Sequence, residues 1–320
     1  MPEESSLTPE EVAGILKIAK NTVYELVKRG ELKAYRVGRK LRFDQKDVET
    51  YKNHGKRLES LSVGATPPAP LPHTTTPPME MSPASTQPLV ICGQDLILDI
   101  LARHIESHPG GINVLRKQVG SFSGLIELYQ GKVHMTAVHL WAGERDLYNI
   151  PYVRRLLPGI PTIIIHLAIR MQGFYVANGN PKGIKTWQDL MRPDITFINR
   201  EKGCGTRVLL NEQMRRLGLD GRQINGYARE ELSHLAVASA VARGEADVGL
   251  GIEKVSLQVR GIDFVPLQKE RYELVMKKED SIKPQFQTAL GIIQSQEFKN
   301  ELLGLGDYDL SETGKIIAEV

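Results

Sequence analysis

Three short stretches concentrate polar, chemistry-bearing residues in this chain: Cys92-Gly93-Gln94-Asp95, Val119-Gly120-Ser121-Phe122-Ser123-Gly124, and Asn199-Arg200-Glu201-Lys202-Gly203-Cys204-Gly205-Thr206-Arg207. Each follows a β-rich run and precedes a helical one, the place where doubly wound α/β domains bind ligands. The hydroxyls of Ser121, Ser123 and Thr206, the small residues Gly93, Gly124 and Gly205, and the free amides of helix N-termini together suit an anion without many full charges. Arg200 and Arg207 add forked donors, and Gln94 and Cys204 stand among them. Asp95 fits a helix N-cap; were it to line the site, the ligand would carry a donor or a cationic group. Taken singly, each stretch is equally a turn followed by a cap. Their recurrence on one α/β scaffold favours a site. No GxxxxGK[ST] is present, so neither glycine-rich stretch is a P-loop. His139, Tyr148 and Ser233-His234 lie where they could reach such a site, although each fits a structural role.

A second chemistry sits at the other end. Between Lys17 and Lys46 stand ten Lys/Arg against three acids, a local net charge of +7 in a chain whose total is +3. A one-sided basic block points to a polyanionic partner. Lys20, Asn21, Thr22, Tyr24 and Lys28 fall on one short helical pattern, and Arg36, Arg39, Lys40 and Arg42 on a basic hairpin around Gly38-Arg39. The first group suits base edges and the second phosphates, with Arg39 at the tip placed for a minor groove.

The elements that position these residues follow from periodicity. Thr8-Pro9-Glu10-Glu11 reads as a capped helix start with a capping box. Val12, Ile15 and Leu16, then Val23, Leu26 and Val27, give two short amphipathic helices separated by a tight turn, with Gly30 ending the second. Leu32–Val37 and Lys40–Phe43 form the hairpin, and Asp44 caps a third helix through Val48 and Tyr51. Residues 60–88 hold eight prolines and one charge, the composition of an extended linker. From residue 89 onward short β-rich runs alternate with helical patterns, an α/β signature. The runs Ile163–Arg170 and Phe174–Ala177, and again Phe264–Leu267 and Tyr272–Lys277, read as separate strands. The expected division is therefore 1–57, a DNA-binding domain; 58–88, a Pro-rich linker; and 89–320, a ligand-sensing domain.

The stretch LTPEEVAGILKIAKNTVYELVKRGELKAYRVGRKLRFDQKDVETYK resembles the excisionase/MerR-like winged helix-turn-helix family. That resemblance implies double-stranded DNA as partner, with Lys20, Thr22 and Tyr24 in the groove and the wing on the backbone. The stretches GSFSGLIELYQGKVHMTAVHL, RMQGFYVANGNPKGIKTWQDL, FINREKGCGTRVLLNEQM and ELSHLAVASAVARGEADVGLGIE resemble the periplasmic-binding-protein-like domain of molybdate/tungstate-type substrate-binding proteins and of regulators fused to a helix-turn-helix. It implies a type II-like α/β fold of two lobes joined by two crossing strands, with Gly93, Ser121, Ser123, Gly205, Thr206 and Arg207 around a ligand in the cleft. Two positions depart from the pattern: Cys204 stands where such proteins often carry Ser, and Cys92-Gly93-Gln94 where a hydroxyl-bearing loop is expected.

Bulk properties bound the rest. The chain has 320 residues, 41% hydrophobic and 25% charged, ordinary for globular domains. Its two cysteines make no disulfide framework, and their ordinary role is as buried thiols, with a redox switch as the alternative. No secretory signal opens the sequence, no apolar run is long enough to span a bilayer, and the histidines show no HxH or HExxH spacing for a metal. No GxSxG elbow appears. The expectation is a cytoplasmic, non-enzymatic, ligand-responsive transcriptional regulator without cofactor or metal, not bound to a membrane and forming a homodimer or higher homo-oligomer. Its effector would be a molybdate- or tungstate-like oxyanion or a small anionic metabolite. The alternative is a transport-associated binding protein for an oxyanion, against which the basic N-terminal block and the missing signal stand.

Overall fold

The computed structural model describes residues 6–28, 32–38, 40–48, 51, 87–110, 112–143 and 147–320. The chain divides into two units, Met1–Pro78 and Met79–Val320. Gly30, Arg39 and nearly all of the expected linker, 58–88, lie outside the described residues, as do the side chains of Lys28 and Arg36.

In the N-terminal unit, α1 (Pro9–Leu16) begins as its sequence dictates. The Thr8 hydroxyl accepts from the Glu11 amide, the Glu11 carboxylate accepts from the Thr8 amide, and Pro9 occupies the first turn, where its missing N–H costs nothing. Lys17 ends the helix in the left-handed region (φ 54°). Helix α2 (Lys20–Lys28) packs against α1, and strands β1 (Tyr35–Val37) and β2 (Lys40–Arg42) pair antiparallel with Tyr35 opposite Arg42. A short helix α3 covers 45–48. Val12, Val23, Leu26, Leu32, Phe43 and Val48 form the core. With so few buried side chains, burial decides which face of α2 points in: Val23 is fully buried, while Tyr24, one position on, is 43% exposed.

The second unit is built on one sheet ordered β10-β9-β11-β8-β12-β5-β3-β4, with β13 alongside β8. Strands β3 (Leu89–Cys92), β4 (Val114–Lys117) and β5 (Met135–Val138) are parallel, connected through α4 (Leu96–Glu106) and α5 (Ser121–Tyr129). A two-stranded ribbon, β6 (Trp141–Ala142) and β7 (Leu147–Tyr148), leads to α6 (Ile150–Leu156). The chain then makes β8 (Thr162–Ala177), followed by a 3-10 turn at Trp187–Met191, β9 (Phe197–Arg200), α7 (Gly205–Arg216), β10 (Glu230–Glu231), α8 (His234–Ala242), β11 (Val248–Ile252) and α9 (Glu253–Ser256). Strand β12 (Ile262–Lys277) returns antiparallel to β8, and α10 (Pro284–Gln294), α11 (Gln296–Leu305) and β13 (Ile316–Glu319) close the chain.

The two 16-residue strands β8 and β12 organise this unit. They pair along their whole length, Thr162 with Lys277 at one end and Ala177 with Ile262 at the other. One half of the pair is flanked by β5, the other by β11, so each lobe owns half of each strand. The four runs expected as separate strands are thus two continuous ones; polar residues between the apolar stretches mimic a break but mark the crossing between lobes. Register shifts at Pro266/Gln268 and Tyr272/Glu273 bracket that crossing, where an extra residue bends a strand. In the first lobe, Leu101, Phe286 and Phe298 pack on one face of the sheet and Leu125, Val153 and Val275 on the other. In the second lobe Phe174, Phe197 and Leu210 pack on one face and Val237, Val241 and Tyr175 on the other.

Candidate ligand site and nucleic-acid interface

Between the lobes lies a small, nearly closed cavity of about 10 Å³, room for a single water molecule, lined by Gly93, Gln94, Asp95, Val119, Gly120, Ser121, Ala137, His139, Arg170, His234 and Tyr272. Its floor comes from the crossing strands, which deliver Arg170 and Tyr272. Its walls are the starts of three helices: α4 with Asp95 as cap, α5 with Gly120 as cap, and α8 with His234 as first residue.

Arg170 is the centre of the arrangement, only 4% exposed. Its Nη1 donates to Asp95 Oδ2 (2.5 Å), and its Nη2 lies 2.5 Å from Oε1 of Glu270, the residue directly opposite it on β12. The guanidinium stacks on the Tyr272 ring, 3.9 Å from the centroid. Asp95 Oδ1 in turn accepts from the Ile97 amide (2.8 Å) and the Tyr308 hydroxyl (3.1 Å). Glu270 Oε2 accepts from His139 Nδ1 (2.6 Å) and Gln172 Nε2 (3.0 Å). Burial alone would push the Glu270 carboxyl up, but Arg170 and His139 override it and hold it down to about 2. Burial works against the Arg170 charge too, and Glu270 and Asp95 reverse the effect, raising its pKa. His234 goes the other way: desolvation, reinforced by Arg200 and Arg170, lowers its pKa well below the ordinary histidine value, so the ring is neutral.

Three buried polar atoms on this lining have neither a hydrogen bond nor an ion pair: Arg170 Nε, the Tyr272 hydroxyl and His234 Nδ1; Arg170 Nη2 and Glu270 Oε1 have only their mutual ion pair, without hydrogen-bond geometry. A buried donor or acceptor without a partner costs about 1–3 kcal/mol, and a group of them converging on one space marks where a polar molecule belongs.

Of the residues singled out by sequence, Gly93, Gln94, Asp95 and Ser121 line the cavity, and so do His139 and His234, which were expected within reach of it. Gln94 also reaches across to the second lobe, its Oε1 accepting from Arg200 (2.6 Å) and its Nε2 donating to Glu201 (3.2 Å). The Ser121 hydroxyl accepts from the His139 amide (3.2 Å). The remaining candidates stand off the lining. Gly-Ser-Phe-Ser-Gly is not a loop: Ser121–Gly124 are the first turn of α5, which turns Gly124 toward Thr136 and Cys92. Ser123 faces Gly203. Arg200, 1% exposed, is engaged by Gln94, Glu201 and the Leu232 carbonyl. Arg207 donates to the Arg200 carbonyl and Glu230 and stacks on Tyr227 (4.1 Å). The Thr206 hydroxyl takes a hydrogen bond from Gln172 (3.2 Å). Gly205 packs on the His139 ring, and Cys204 is buried against Gly120. The two glycine-rich stretches do meet, through a Phe122 amide to Gly203 carbonyl bond (2.9 Å), but they meet each other with no space for a ligand between them. Burial raises the pKa of both Cys92 and Cys204, leaving them protonated and unreactive.

Sequence reasoning passed over Arg170 and Tyr272. The available signal was the mid-strand charges: a buried strand that carries Arg170, and a partner that carries Glu270, need a reason to hold them. Tyr148 is tied to the crossing instead of the cavity, its hydroxyl bonding the Lys269 carbonyl (3.1 Å) and Gln268 Nε2 (2.8 Å). Among the described residues no cluster of His, Cys, Asp and Glu could hold a metal ion, and no helix is long and apolar enough to cross a membrane.

In the N-terminal unit Lys20, Asn21, Thr22 and Tyr24 are exposed along α2, and Lys40 is exposed and Arg42 half-buried on β2. Lys20 pairs with Glu10 on α1. This leaves a polar face on α2 and two basic residues on β2.

Fold and site together define a two-lobed ligand-binding α/β domain preceded by a helix-turn-helix domain. The chain belongs to the PBP superfamily, whose domain model matches residues 102–294, and a helix-turn-helix domain model matches residues 6–56. It is 40% identical over all 320 residues to an uncharacterized protein, YvgK, of Bacillus subtilis (strain 168), covering 100% of both chains. Among solved structures it is similar to a putative phosphate ABC transporter substrate-binding protein with bound phosphate from Clostridium perfringens (TM-score 0.53, 14% identity, 70% of this chain and 99% of that one). It is also similar to a cysteine-to-serine mutant of Corynebacterium glutamicum OxyR in an H2O2-bound form (TM-score 0.51, 14% identity, 93% of this chain and 89% of that one). At these identities the likeness is one of fold.

Proposed function

We propose that this protein is a one-component, ligand-responsive DNA-binding regulator, acting in the cytoplasm, whose effector is a small oxygen-rich polar molecule held in the interlobe cavity. The observation that carries the reading is the pairing of an exposed polar helix, α2, with a cavity in which Arg170, Tyr272 and His234 present buried, unpartnered polar atoms. The first is a surface for base edges, and the second is a site prepared for a small molecule. Double-stranded DNA is the partner of the first unit: Thr22 and Tyr24 enter the major groove and Lys40 and Arg42 neutralise phosphates. The chain works as a homodimer, because one small helix-turn-helix offers few base contacts and paired half-sites double them. Binding in place of catalysis is favoured by the way both carboxylates near the cavity are consumed in orienting Arg170.

The test is to select genomic fragments with the purified full-length chain and measure their binding against salt. The reading expects sequence-selective retention with a steep salt dependence, reduced by Thr22→Ala and by Arg42→Ala. Retention no better than for random fragments contradicts it.

A further inference from the structure

Away from the interlobe cavity, the second unit carries a larger recess of about 520 Å³, a size that takes a small organic molecule. Four separate segments wall it. Gln87 and Pro88 lead into β3 on one side, and Gly110 and Ile112 follow α4 on another. His134, just before β5, and the start of α10 complete it. An apolar body is met by Pro88, Ile112 and Pro284, with the core side chains Leu89 and Phe286 beneath them. Two polar side chains of this wall are donors. The Val90 amide donates to His134 Nδ1 (2.9 Å), and burial lowers the ring's pKa, so the ring is neutral and its proton sits on Nε2. That Nε2 has no hydrogen-bond partner among the described residues. Lys283 gives one ammonium proton to Asp280 (2.5 Å) and keeps its others. The charged groups acting on His134 are two cations, Lys283 and Lys277, against one carboxylate, Asp280. No Asp or Glu stands among the described residues of the wall.

We propose that this recess is a small-molecule site in its own right, for an organic carboxylate with a compact apolar body. The carboxylate accepts from Lys283 Nζ and His134 Nε2, and the body lies against Pro88, Ile112 and Pro284. The positive balance of charge disfavours amines, and a bare inorganic ion gains nothing from the apolar wall. Gln87 and Pro88 are where the described part of this unit begins, so an occupant touches the stretch through which the chain arrives from the N-terminal unit. The site stands whether or not the interlobe cavity is an effector site.

The experiment is calorimetric titration of the full-length chain near neutral pH with benzoate, 4-hydroxybenzoate and cyclohexanecarboxylate. Benzamide, which lacks the charge, and acetate, which lacks the body, are the matched controls. The proposal expects the ring carboxylates to bind, and both controls to bind about tenfold or more weakly. Lys283→Gln and His134→Phe each weaken the carboxylates by a similar factor, and Thr288→Trp, which fills the recess from α10, abolishes their binding. Lys283 is exposed, so its variant keeps the test open should Thr288→Trp fail to fold. Tyr272→Phe, in the interlobe cavity, leaves the affinity unchanged. No binding by any ring carboxylate overturns the proposal, as does benzamide binding as tightly as benzoate, or an affinity unchanged in a folded Thr288→Trp. Binding lost in Tyr272→Phe but kept in Lys283→Gln puts the carboxylate in the interlobe cavity, which overturns this proposal and leaves the preceding reading standing. Carboxylates that bind only once Met79 and Met81 are both replaced by Ser show that the chain's own segment ahead of β3 fills the recess, and this too overturns it.

Discussion

At the scale of single residues, Arg170 is the counter-charge that allows two carboxylates to be buried side by side. Removing it strands Asp95 and Glu270, 3% and 1% exposed, in a low-dielectric crossing. Arg170→Ala is expected to lower unfolding free energy by about 3–5 kcal/mol in urea titrations. Tyr272→Phe, which deletes a hydroxyl that has no partner, is expected to leave stability within about 1 kcal/mol of the parent. Equal losses in the two variants would contradict the assigned roles. His234 makes a pH prediction. Its folded pKa is depressed, so below the ordinary value of 6.5 the unfolded chain takes up a proton that the folded chain refuses. Stability is therefore full above that value and falls as pH drops beneath it, by about 1.4 kcal/mol per pH unit. Stability curves for His234→Gln should lack that slope. Glu270 acts in a lower window: its contribution is present above 4.5 and is lost as pH falls toward about 2. Much of this chemistry was hidden in the sequence. Gly93, Gln94, Asp95 and Ser121 were legible because they follow strands and open helices. Arg170 and Tyr272 were not, because strand periodicity says which face a residue takes and not which residues of a distant strand stand opposite. Only the β8–β12 register puts Glu270 against Arg170.

At the scale of elements, the starts of α5 and α7 set how closely the lobes approach. A Cβ on Gly120 would lie 2.7 Å from both the Cys204 Cα and the Gly203 carbonyl oxygen, which are backbone atoms of the other lobe and cannot step aside locally. Gly120→Ala is expected to push the lobes apart and to break the Phe122–Gly203 hydrogen bond. In hydrogen exchange the Phe122 amide should lose protection while core amides such as those of Leu101 and Leu210 keep theirs. Protection retained at Phe122 would mean that the lobes do not meet at this point. Element boundaries were readable where local chemistry fixed them, as with the Thr8–Glu11 capping box and the Asp95 cap. They were misread where tertiary packing decided. The Ser121–Gly124 turn looked like a loop because its small polar residues favour turns, yet Gly124 is needed within the helix to clear Thr136 and Cys92. The long strands looked broken because the polar residues of the crossing interrupt the apolar runs, although almost all of β8 is buried.

At the scale of the whole molecule, two chemistries were apparent from the outset: a basic, polar helical block at one end and an α/β sensor at the other. Their charge separation follows directly from the positions of Lys and Arg. The identity of the residues that line the cavity did not, since these come from both lobes and from strands about a hundred residues apart. If the two units are thermodynamically linked, filling the cavity changes DNA affinity by the same factor that DNA changes affinity for the small molecule. The measurement that tests this most directly is the dissociation constant of the full-length chain for its selected DNA fragment, by fluorescence anisotropy at fixed salt, without and with a small polar molecule shown by calorimetry to bind the parent chain but not Tyr272→Phe. With linkage, the two constants differ by about 5–150-fold in the parent chain and coincide in Tyr272→Phe. Identical constants in the parent chain, with the cavity demonstrably filled, would contradict it.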